Sequence, residues 1–325
     1  MTTNTPIAEE KYLDLPGGRR LAYAENGNPS SSTLVILFHG AFGVGTADTQ
    51  QYLLEKGVHF VAPTLAGWGK SSPRSKSIPF HISLASDTSA LIDHLHPKKE
   101  GLKIYIAGVS FGTVPAQMLY GASFDVFPSG RNVAGCMVLA PFSPFKLHKD
   151  YAKSMTISSY ITSGPPSRYI PFNLLQRLFS VVFKNKIKTP EKAEAFMRET
   201  LFDKMGEEEK VEFAKWREER GRAEGQLERQ LAQMAVRSVQ ESWAGFIEMA
   251  DAIHGDWGFA PNALDEEHNA RPILLVSSEG DTTTPDAMAK WLAENYENAH
   301  YQSFHGGHLA TIFHLNKLWK DLFEL

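Results

Sequence analysis

The chain has 325 residues, of which 42% are hydrophobic and 22% charged, and this is an ordinary globular composition. Its formal net charge of −4 makes neither a nucleic acid nor an anionic membrane surface an obvious partner, and no apolar run approaches the roughly 18 residues of a spanning helix. The single cysteine, Cys136, cannot form an internal disulfide, and the N-terminus lacks the basic and apolar pattern of a signal peptide. We therefore expect a protein of a reducing, cytoplasmic compartment with no integral membrane segment.

The order of the predicted elements indicates an α/β protein. Residues 11–25 alternate apolar and polar positions around a Pro-Gly-Gly turn, which is typical of a hairpin of edge strands. Continuous apolar runs follow at 33–38, 58–62, 103–107, 133–140 and 272–277, and such runs are typical of strands buried in a parallel sheet. A last strand is predicted at 299–304. Helical patterns lie at 81–96, 111–120, 285–296 and 310–325. The alternation predicts a doubly wound, mostly parallel sheet of eight strands.

The alternation stops between residues 141 and 260. This stretch begins with proline, serine and aromatic residues and continues as highly charged helical sequence. A coiled coil is an alternative, but the apolar heptads are not sustained and Gly221 and Gly225 interrupt them. We predict a sheet domain made of residues 1–140 and 261–325, with a helical insertion at 141–260.

A candidate nucleophile lies at the end of the strand that begins at residue 103. Ser110 is the centre of a G-x-S-x-G motif, between that strand and a helix. In this context the serine protrudes from a sharp turn, and the glycines leave room for neighbouring backbone. The alternative is an ordinary glycine-rich turn. A serine hydroxyl is a weak nucleophile, so it needs a base and a group that orients the base.

A candidate acid follows the strand at 272–277. Asp281 would stand at the carboxyl end of a parallel strand, where the sites of such sheets gather. Glu279 is a nearby rival, and a plain capping role for Asp281 is the alternative. We favour Asp281 because it lies deeper in the loop.

A candidate base lies in the glycine-rich loop after the last strand. His308 ends this loop just before the final helix, and His305 is its competitor. No third ligand has a spacing that would make this pair a zinc site, so we expect no metal. His94 and His96, near a helix end, are interpreted as surface or capping groups.

A candidate oxyanion hole follows the strand at 33–38, in the segment His39-Gly40-Ala41-Phe42-Gly43. The backbone N–H groups of Ala41 and Phe111 are the expected donors. His39 is expected to hold the turn, and an ordinary loop is the alternative interpretation.

Together these segments resemble the α/β-hydrolase superfamily. LFHGAFG, IAGVSFG, VSSEGD and HGGHLA occur in the family's order, over about residues 11–140 and 260–325. The segment VAPTLAGWGKSSP resembles the family's loop after the next strand, with Thr64 in place of the usual aspartate. The resemblance implies that the insertion is a helical cap over the active site. Dehalogenases and epoxide hydrolases of the family carry aspartate at the position of Ser110, so the resemblance argues against both classes. It implies acyl transfer by a serine nucleophile, without a cofactor.

The substrate is predicted only in outline. Aromatic residues in the early cap favour a small hydrophobic ester, or a related acyl or C–C substrate, bound by Phe42, Phe142 and Tyr151; simple packing of cap on sheet is the alternative. No clear membrane-binding patch is predicted, which makes action on bulk lipid less attractive. A proline-iminopeptidase-like aminopeptidase would need acidic cap residues such as Glu194 or Glu207. A non-catalytic small-molecule receptor on the same fold is a third interpretation. The oligomeric state is not predicted.

Overall fold

A single twisted sheet organises the molecule. The computed structural model describes residues 10–325, so most of the segment behind the signal-peptide expectation lies outside the described residues. The eight strands are β1 (Lys11–Leu15), β2 (Arg19–Gly27), β3 (Thr33–Phe38), β4 (His59–Pro63), β5 (Lys103–Val109), β6 (Val133–Leu139), β7 (Ile273–Ser278) and β8 (Ala299–Phe304). Their spatial order is β1-β2-β4-β3-β5-β6-β7-β8, and β2 pairs antiparallel with both of its neighbours while every other pair is parallel. The predicted fold class is confirmed.

Helices cover the sheet, as its buried strands require. Three helices precede β6: α1 (Gln51–Glu55), α2 (Phe80–Leu95) and α3 (Thr113–Tyr120). Between β6 and β7 lie α4 (Ile157–Thr162), α5 (Pro165–Tyr169), α6 (Leu174–Lys186), α7 (Pro190–Met197), α8 (Glu207–Glu219), α9 (Gln226–Ser238), α10 (Ala244–His254) and α11 (Glu266–Asn269). The last three are α12 (Asp286–Asn295), α13 (Ala310–Phe313) and α14 (Leu315–Glu324). Every regular element between β6 and β7, a stretch described in full, is helical; the exact domain limits at 140 and 260 stay a prediction.

The single helix predicted at 310–325 is wrong, because two helices occupy that segment. The break falls at His314, whose backbone has φ −99° and ψ 2°. Its ring stacks on Phe304 with centroids 3.7 Å apart, and its Nε2 lies 3.2 Å from Oε1 of Glu212 in α8. These contacts between distant segments are not visible in a local periodicity.

The interpretation of His96 as a surface or capping group holds for its backbone only. Its N–H donates to the Ile92 carbonyl at the end of α2, but its ring is buried and its Nε2 lies 2.8 Å from Nδ1 of the buried His59. His94 is exposed, as expected.

Exposed apolar side chains are concentrated in one stretch of the chain between β6 and β7. Among the described residues, nine of the fifteen exposed large hydrophobic side chains lie between residues 157 and 182, in α4, α5, α6 and their connections. None of the helices in residues 10–325 combines the length and apolar character that crossing a bilayer requires.

Candidate active site

The turn after β5 holds Ser110 in a strained conformation. Ser110 has φ +53°, a region that non-glycine residues rarely occupy and that costs about 1–3 kcal/mol. A Cβ on Gly108 would meet the Gly112 carbonyl oxygen at 2.1 Å, and a Cβ on Gly112 would meet the Phe38 carbonyl oxygen at 2.2 Å. Both positions therefore require glycine, which gives the physical reason for the motif.

The side chain of Thr113 stabilises the turn through two hydrogen bonds. Its Oγ1 donates to the Ser110 carbonyl at 2.6 Å and accepts the Phe142 N–H at 3.1 Å. Thr113 is fully buried, so the bracing hydrogen bonds are shielded from water. Sequence analysis missed this residue because the motif does not include it.

Ser110, His308 and Asp281 lie in one hydrogen-bonded chain. His308 Nε2 is 2.9 Å from Ser110 Oγ, and His308 Nδ1 is 2.7 Å from Asp281 Oδ2. The three residues follow the carboxyl ends of β5, β8 and β7, which meet at one edge because the strands are parallel. The fold thus brings together all three residues singled out from the sequence.

The carboxylate of Asp281 is saturated with hydrogen bonds. Oδ1 accepts the N–H groups of Thr283 and Thr284 at 2.7 and 3.0 Å, and Oδ2 accepts the Thr284 hydroxyl at 2.8 Å. The side chain is fully shielded from solvent. The rival Glu279 is 67% exposed, and its Oε2 lies 3.6 Å from His305 Nδ1 rather than beside His308.

The environment of His308 favours its protonated form. Burial alone would lower the pKa of His308, but the negative charge and hydrogen bond of Asp281 outweigh it and raise that pKa above its usual value. Burial likewise works to raise the pKa of Asp281, yet the adjacent His308 and the Thr284 hydrogen bonds leave it lowered. The lowered pKa favours the ionised form of Asp281, next to the His308 imidazole.

The loop that carries His308 rests on the insertion. Glu209 of α8 is buried, and a Cβ on Gly307 would lie 3.5 Å from its Oε2. Gly306 has φ +121°, and a Cβ there would meet Cδ of Glu209 at 3.0 Å. His305, by contrast, is 70% exposed with Glu208 and Glu279 beside it. Glu209 was missed because nothing in the charged sequence of α8 separates it from its solvated neighbours.

The turn after β3 lies directly against Ser110. A Cβ on Gly40 would be 3.3 Å from Ser110 Cβ, and Phe42 has φ +55°. The His39 ring clamps this turn: Nδ1–H donates to the Gly40 carbonyl at 2.8 Å, and Nε2 accepts the Leu65 N–H at 3.0 Å. A carbonyl can only accept and a backbone N–H can only donate, so these two partners fix His39 as the neutral tautomer with its proton on Nδ1. The turn is in position for the predicted donor Ala41, whose role stays a prediction.

The clamp predicts acid-sensitive stability. Burial lowers the pKa of His39 to about 4, from about 6.5 in the unfolded chain. The unfolded state therefore binds more protons between these values, so this group's stabilisation is complete above pH 6.5 and is lost as the pH falls towards 4. The difference corresponds to roughly 3 kcal/mol.

Urea unfolding at pH 7.5 and pH 4 would measure this effect in His39→Gln, with His94→Gln as an exposed control. We expect the stability difference between wild type and His39→Gln to shrink by roughly 3 kcal/mol at the lower pH. A difference that does not change with pH would contradict the neutral clamp.

The three predicted substrate-binding residues lie in two places. Phe42 lies in the turn after β3, beside the turn that holds Ser110, which is called the catalytic turn. Its ring contacts the insertion, with its centroid 5.7 Å from that of Phe183 and 5.1 Å from that of Phe246. Phe142 and Tyr151 are buried in a separate aromatic stack around Phe145. Substrate contact by Phe142 or Tyr151 stays a prediction.

Thr64, the departure from the family pattern, supports a neighbouring loop. Its Oγ1 accepts the Gly45 N–H at 2.9 Å, and its carbonyl accepts the Ser71 hydroxyl at 2.6 Å. Within residues 10–325, no group of three His, Cys, Asp or Glu side chains is arranged to hold a metal ion. The expectations of no metal and no cofactor stay predictions.

The sheet order and the nucleophile turn define the architecture of an α/β hydrolase. The model of the family described as "Alpha/beta hydrolase family" matches residues 35–315, and the chain belongs to this family. The resemblance stated from the sequence motifs is therefore confirmed.

Individual relatives are more distant. Lipase 1 of Psychrobacter immobilis is 31% identical over 109 residues. The matched part is 34% of this chain and only 33% of the length of that curated relative. An esterase from Exiguobacterium antarcticum has a TM-score of 0.59 at 15% identity, covering 97% of this chain and 98% of that one. A bromoperoxidase from Bacillus anthracis has a TM-score of 0.62 at 14% identity, covering 98% and 100%. At these identities the two solved structures show the fold alone.

Proposed function

We propose that the protein is a serine hydrolase that cleaves small hydrophobic carboxylic esters through an acyl-enzyme. The observation that carries the proposal is the hydrogen-bonded chain from Ser110 Oγ through His308 to Asp281, with both distances within 2.9 Å. The family places the chain among hydrolases, and an esterase and a lipase are among its relatives.

The proposed reaction has two halves. His308 Nε2 takes the proton of Ser110 as Oγ attacks the ester carbonyl, and the resulting imidazolium is stabilised by Asp281. The imidazolium then protonates the leaving alkoxide as the carbon–oxygen bond breaks. Water attacks the acyl-enzyme by the same path in reverse, releasing the acid and restoring Ser110.

The backbone N–H groups of Ala41 and Phe111 are the proposed donors to the tetrahedral oxyanion. Phe111 follows the nucleophile at the start of a helical segment, where N–H groups are free to bind an anion. The close approach of Gly40 to Ser110 supports the placement of Ala41. Losing one such donor typically costs on the order of 100- to 1000-fold in rate.

An apolar acyl or alkoxy group is favoured by the aromatic side chains around the catalytic turn. Phe42 contacts Trp68, Phe183, Trp243 and Phe246. These rings come from the sheet domain, from α6, and from α10 and the residue before it, so the insertion would shape the substrate site.

The aminopeptidase alternative finds no support at its two candidate residues. Glu194 binds Arg198 at 2.9 Å, and Glu207 is 90% exposed and binds Lys210 at 2.8 Å. A carboxylate that already pairs with a cation on the surface gains little from a substrate ammonium. A receptor would bind the ester without hydrolysing it, and the ester panel in the next paragraph tests this. A cytoplasmic location likewise stays a proposal.

A panel of p-nitrophenyl esters of increasing acyl length, with a prolyl arylamide beside it, tests the proposal. We expect ester hydrolysis at a rate set by acyl length, no release from the arylamide, and covalent labelling by a fluorophosphonate. Cleavage of the arylamide alone would favour the aminopeptidase. Saturable ester binding with neither turnover nor labelling would favour the receptor.

Asp281→Asn should lower kcat on the order of ten-thousandfold, because the amide favours the wrong tautomer of His308. In the wild type, kcat/KM should rise with pH through the raised pKa of His308, since only the neutral imidazole accepts the proton. The variant's midpoint should move to lower pH, because the charge that raises the pKa is gone. A pH–rate profile measures both, with Glu279→Gln as the control, and an unchanged profile would reassign the acid.

A further inference from the structure

Helix α6 carries an apolar surface on the side that faces solvent. Leu174, Leu178 and Val181 are 60%, 59% and 70% exposed, and their spacing of i, i+4 and i+7 puts them on one face. The preceding turn adds Phe172, which is 89% exposed. Together with Tyr169 and Ile157, 74% and 82% exposed, these residues are called the outer patch.

The opposite side of α6 packs against the rest of the chain and contains the buried Gln176 beside two phenylalanines. Phe179 and Phe183 are partly buried, and Phe183 contacts Phe42 at the catalytic turn. Large exposed apolar patches mark interaction sites. Packing within the chain accounts for the inner face only, so the outer patch is a candidate interaction surface.

The segment that carries the outer patch is strongly basic. Residues 141–192 contain nine Lys or Arg and two Asp or Glu, a net charge of +7, while the whole chain has −4. Within the described residues, Arg168, Arg177, Lys184 and Lys188 form no ion pair with an acidic side chain. These four cations flank the outer patch in sequence and remain available to an anionic partner.

We infer that the outer patch docks on the surface of an anionic lipid bilayer. Apolar and aromatic side chains that project from a basic amphipathic helix enter the headgroup boundary, while lysine and arginine bind the lipid phosphates. A second copy of the chain fits less well, because a twofold contact would bring the same basic segment against itself. Docking would also bring α6, which covers the catalytic turn, to the lipid surface.

Vesicle flotation tests this inference on the full chain carrying Ser110→Ala, so binding is measured without hydrolysis. The probes are vesicles of phosphatidylcholine alone and vesicles with about a quarter phosphatidylserine. We expect binding to the anionic vesicles only, with loss of binding at roughly 0.5 M salt.

Two valines provide a matched pair of variants. Val181 in α6 and Val211 in α8 are 70% and 71% exposed, so aspartate is tolerated equally at both. Val181→Asp should weaken vesicle binding on the order of tenfold or more, and Val211→Asp should leave it unchanged. Lys184→Gln combined with Lys188→Gln should weaken it similarly, whereas neutral vesicles should stay unbound throughout.

Three results would overturn the inference. Absence of binding to either vesicle would remove the lipid partner, and equal binding to neutral vesicles would remove the electrostatic part. A dimer in analytical ultracentrifugation that Val181→Asp converts to monomer, without vesicle binding, would reassign the outer patch to self-association. None of these bears on ester hydrolysis, so the docking surface and the proposed activity fail separately.

Discussion

Ser110→Ala should lower kcat by on the order of a millionfold, the loss typical of removing the nucleophile of a serine triad. The variant keeps the turn, because alanine tolerates φ +53° about as well as serine and the glycines at 108 and 112 are untouched. The loss should therefore fall on kcat, with little change in the melting temperature. Steady-state ester kinetics and thermal unfolding of the purified variant measure the two effects.

Ser143→Ala is the matched control for this prediction. Ser143 is buried, whereas Ser110 is partly exposed, and its Oγ lies 2.8 Å from a histidine, His148 Nδ1, so it forms a second serine–histidine pair. The ring of His148 stacks on Trp291, and its burial lowers its pKa. Ser143→Ala should keep activity within about tenfold of wild type, since no carboxylate in residues 10–325 hydrogen-bonds to His148 to orient it as a base. Fluorophosphonate labelling that persists in Ser110→Ala would remove Ser110 as the nucleophile.

The elements that sequence patterns predict well are those whose environment is uniform. The run at 33–38 is buried on both faces in the centre of the sheet, and the observed strand has the predicted bounds. The G-x-S-x-G turn was predictable because a Cβ on Gly108 would lie 2.1 Å from a backbone oxygen, and one on Gly112 would lie 2.2 Å from another. Where the backbone geometry permits only glycine, the requirement is visible in the sequence and the turn can be predicted from it.

The elements that the sequence did not reveal depend on contacts between distant segments. The break at His314 arises from Phe304 and from Glu212 of α8. Glu209 became recognisable only when α8 was seen against the His308 loop. The outer patch was hidden because apolar residues in a helical sequence are interpreted as core, whereas Leu174, Leu178 and Val181 of α6 are exposed.

Glu209 and His314 also connect the insertion with the loop that carries His308, the proposed base. The carboxyl group of Glu209 lies against Gly307, and Phe213 of α8 stacks on Phe313 of α13, five residues after His308. Displacing α8 would therefore disturb the loop that positions the imidazole. The insertion contributes both the aromatic surface around Phe42 and part of the support for the base.

His308→Ala should cost nearly as much as Ser110→Ala, whereas His305→Ala should change kcat by less than about tenfold. Only His308 lies between Ser110 and Asp281, while His305 is 70% exposed beside Glu208 and Glu279. The pair is a close comparison, since both histidines belong to the same glycine-rich loop.

Loss of folding must be separated from loss of the base. Asp281 keeps three hydrogen bonds from Thr283 and Thr284 when the imidazole is removed, so its loop should persist. His308→Gln adds a second variant, whose amide can still donate to Asp281 but cannot accept the Ser110 proton at neutral pH. Both variants should unfold at nearly the wild-type temperature and hydrolyse the ester about as slowly as Ser110→Ala. Equal losses in His305→Ala and His308→Ala would mean that the loop, rather than one imidazole, is what catalysis requires.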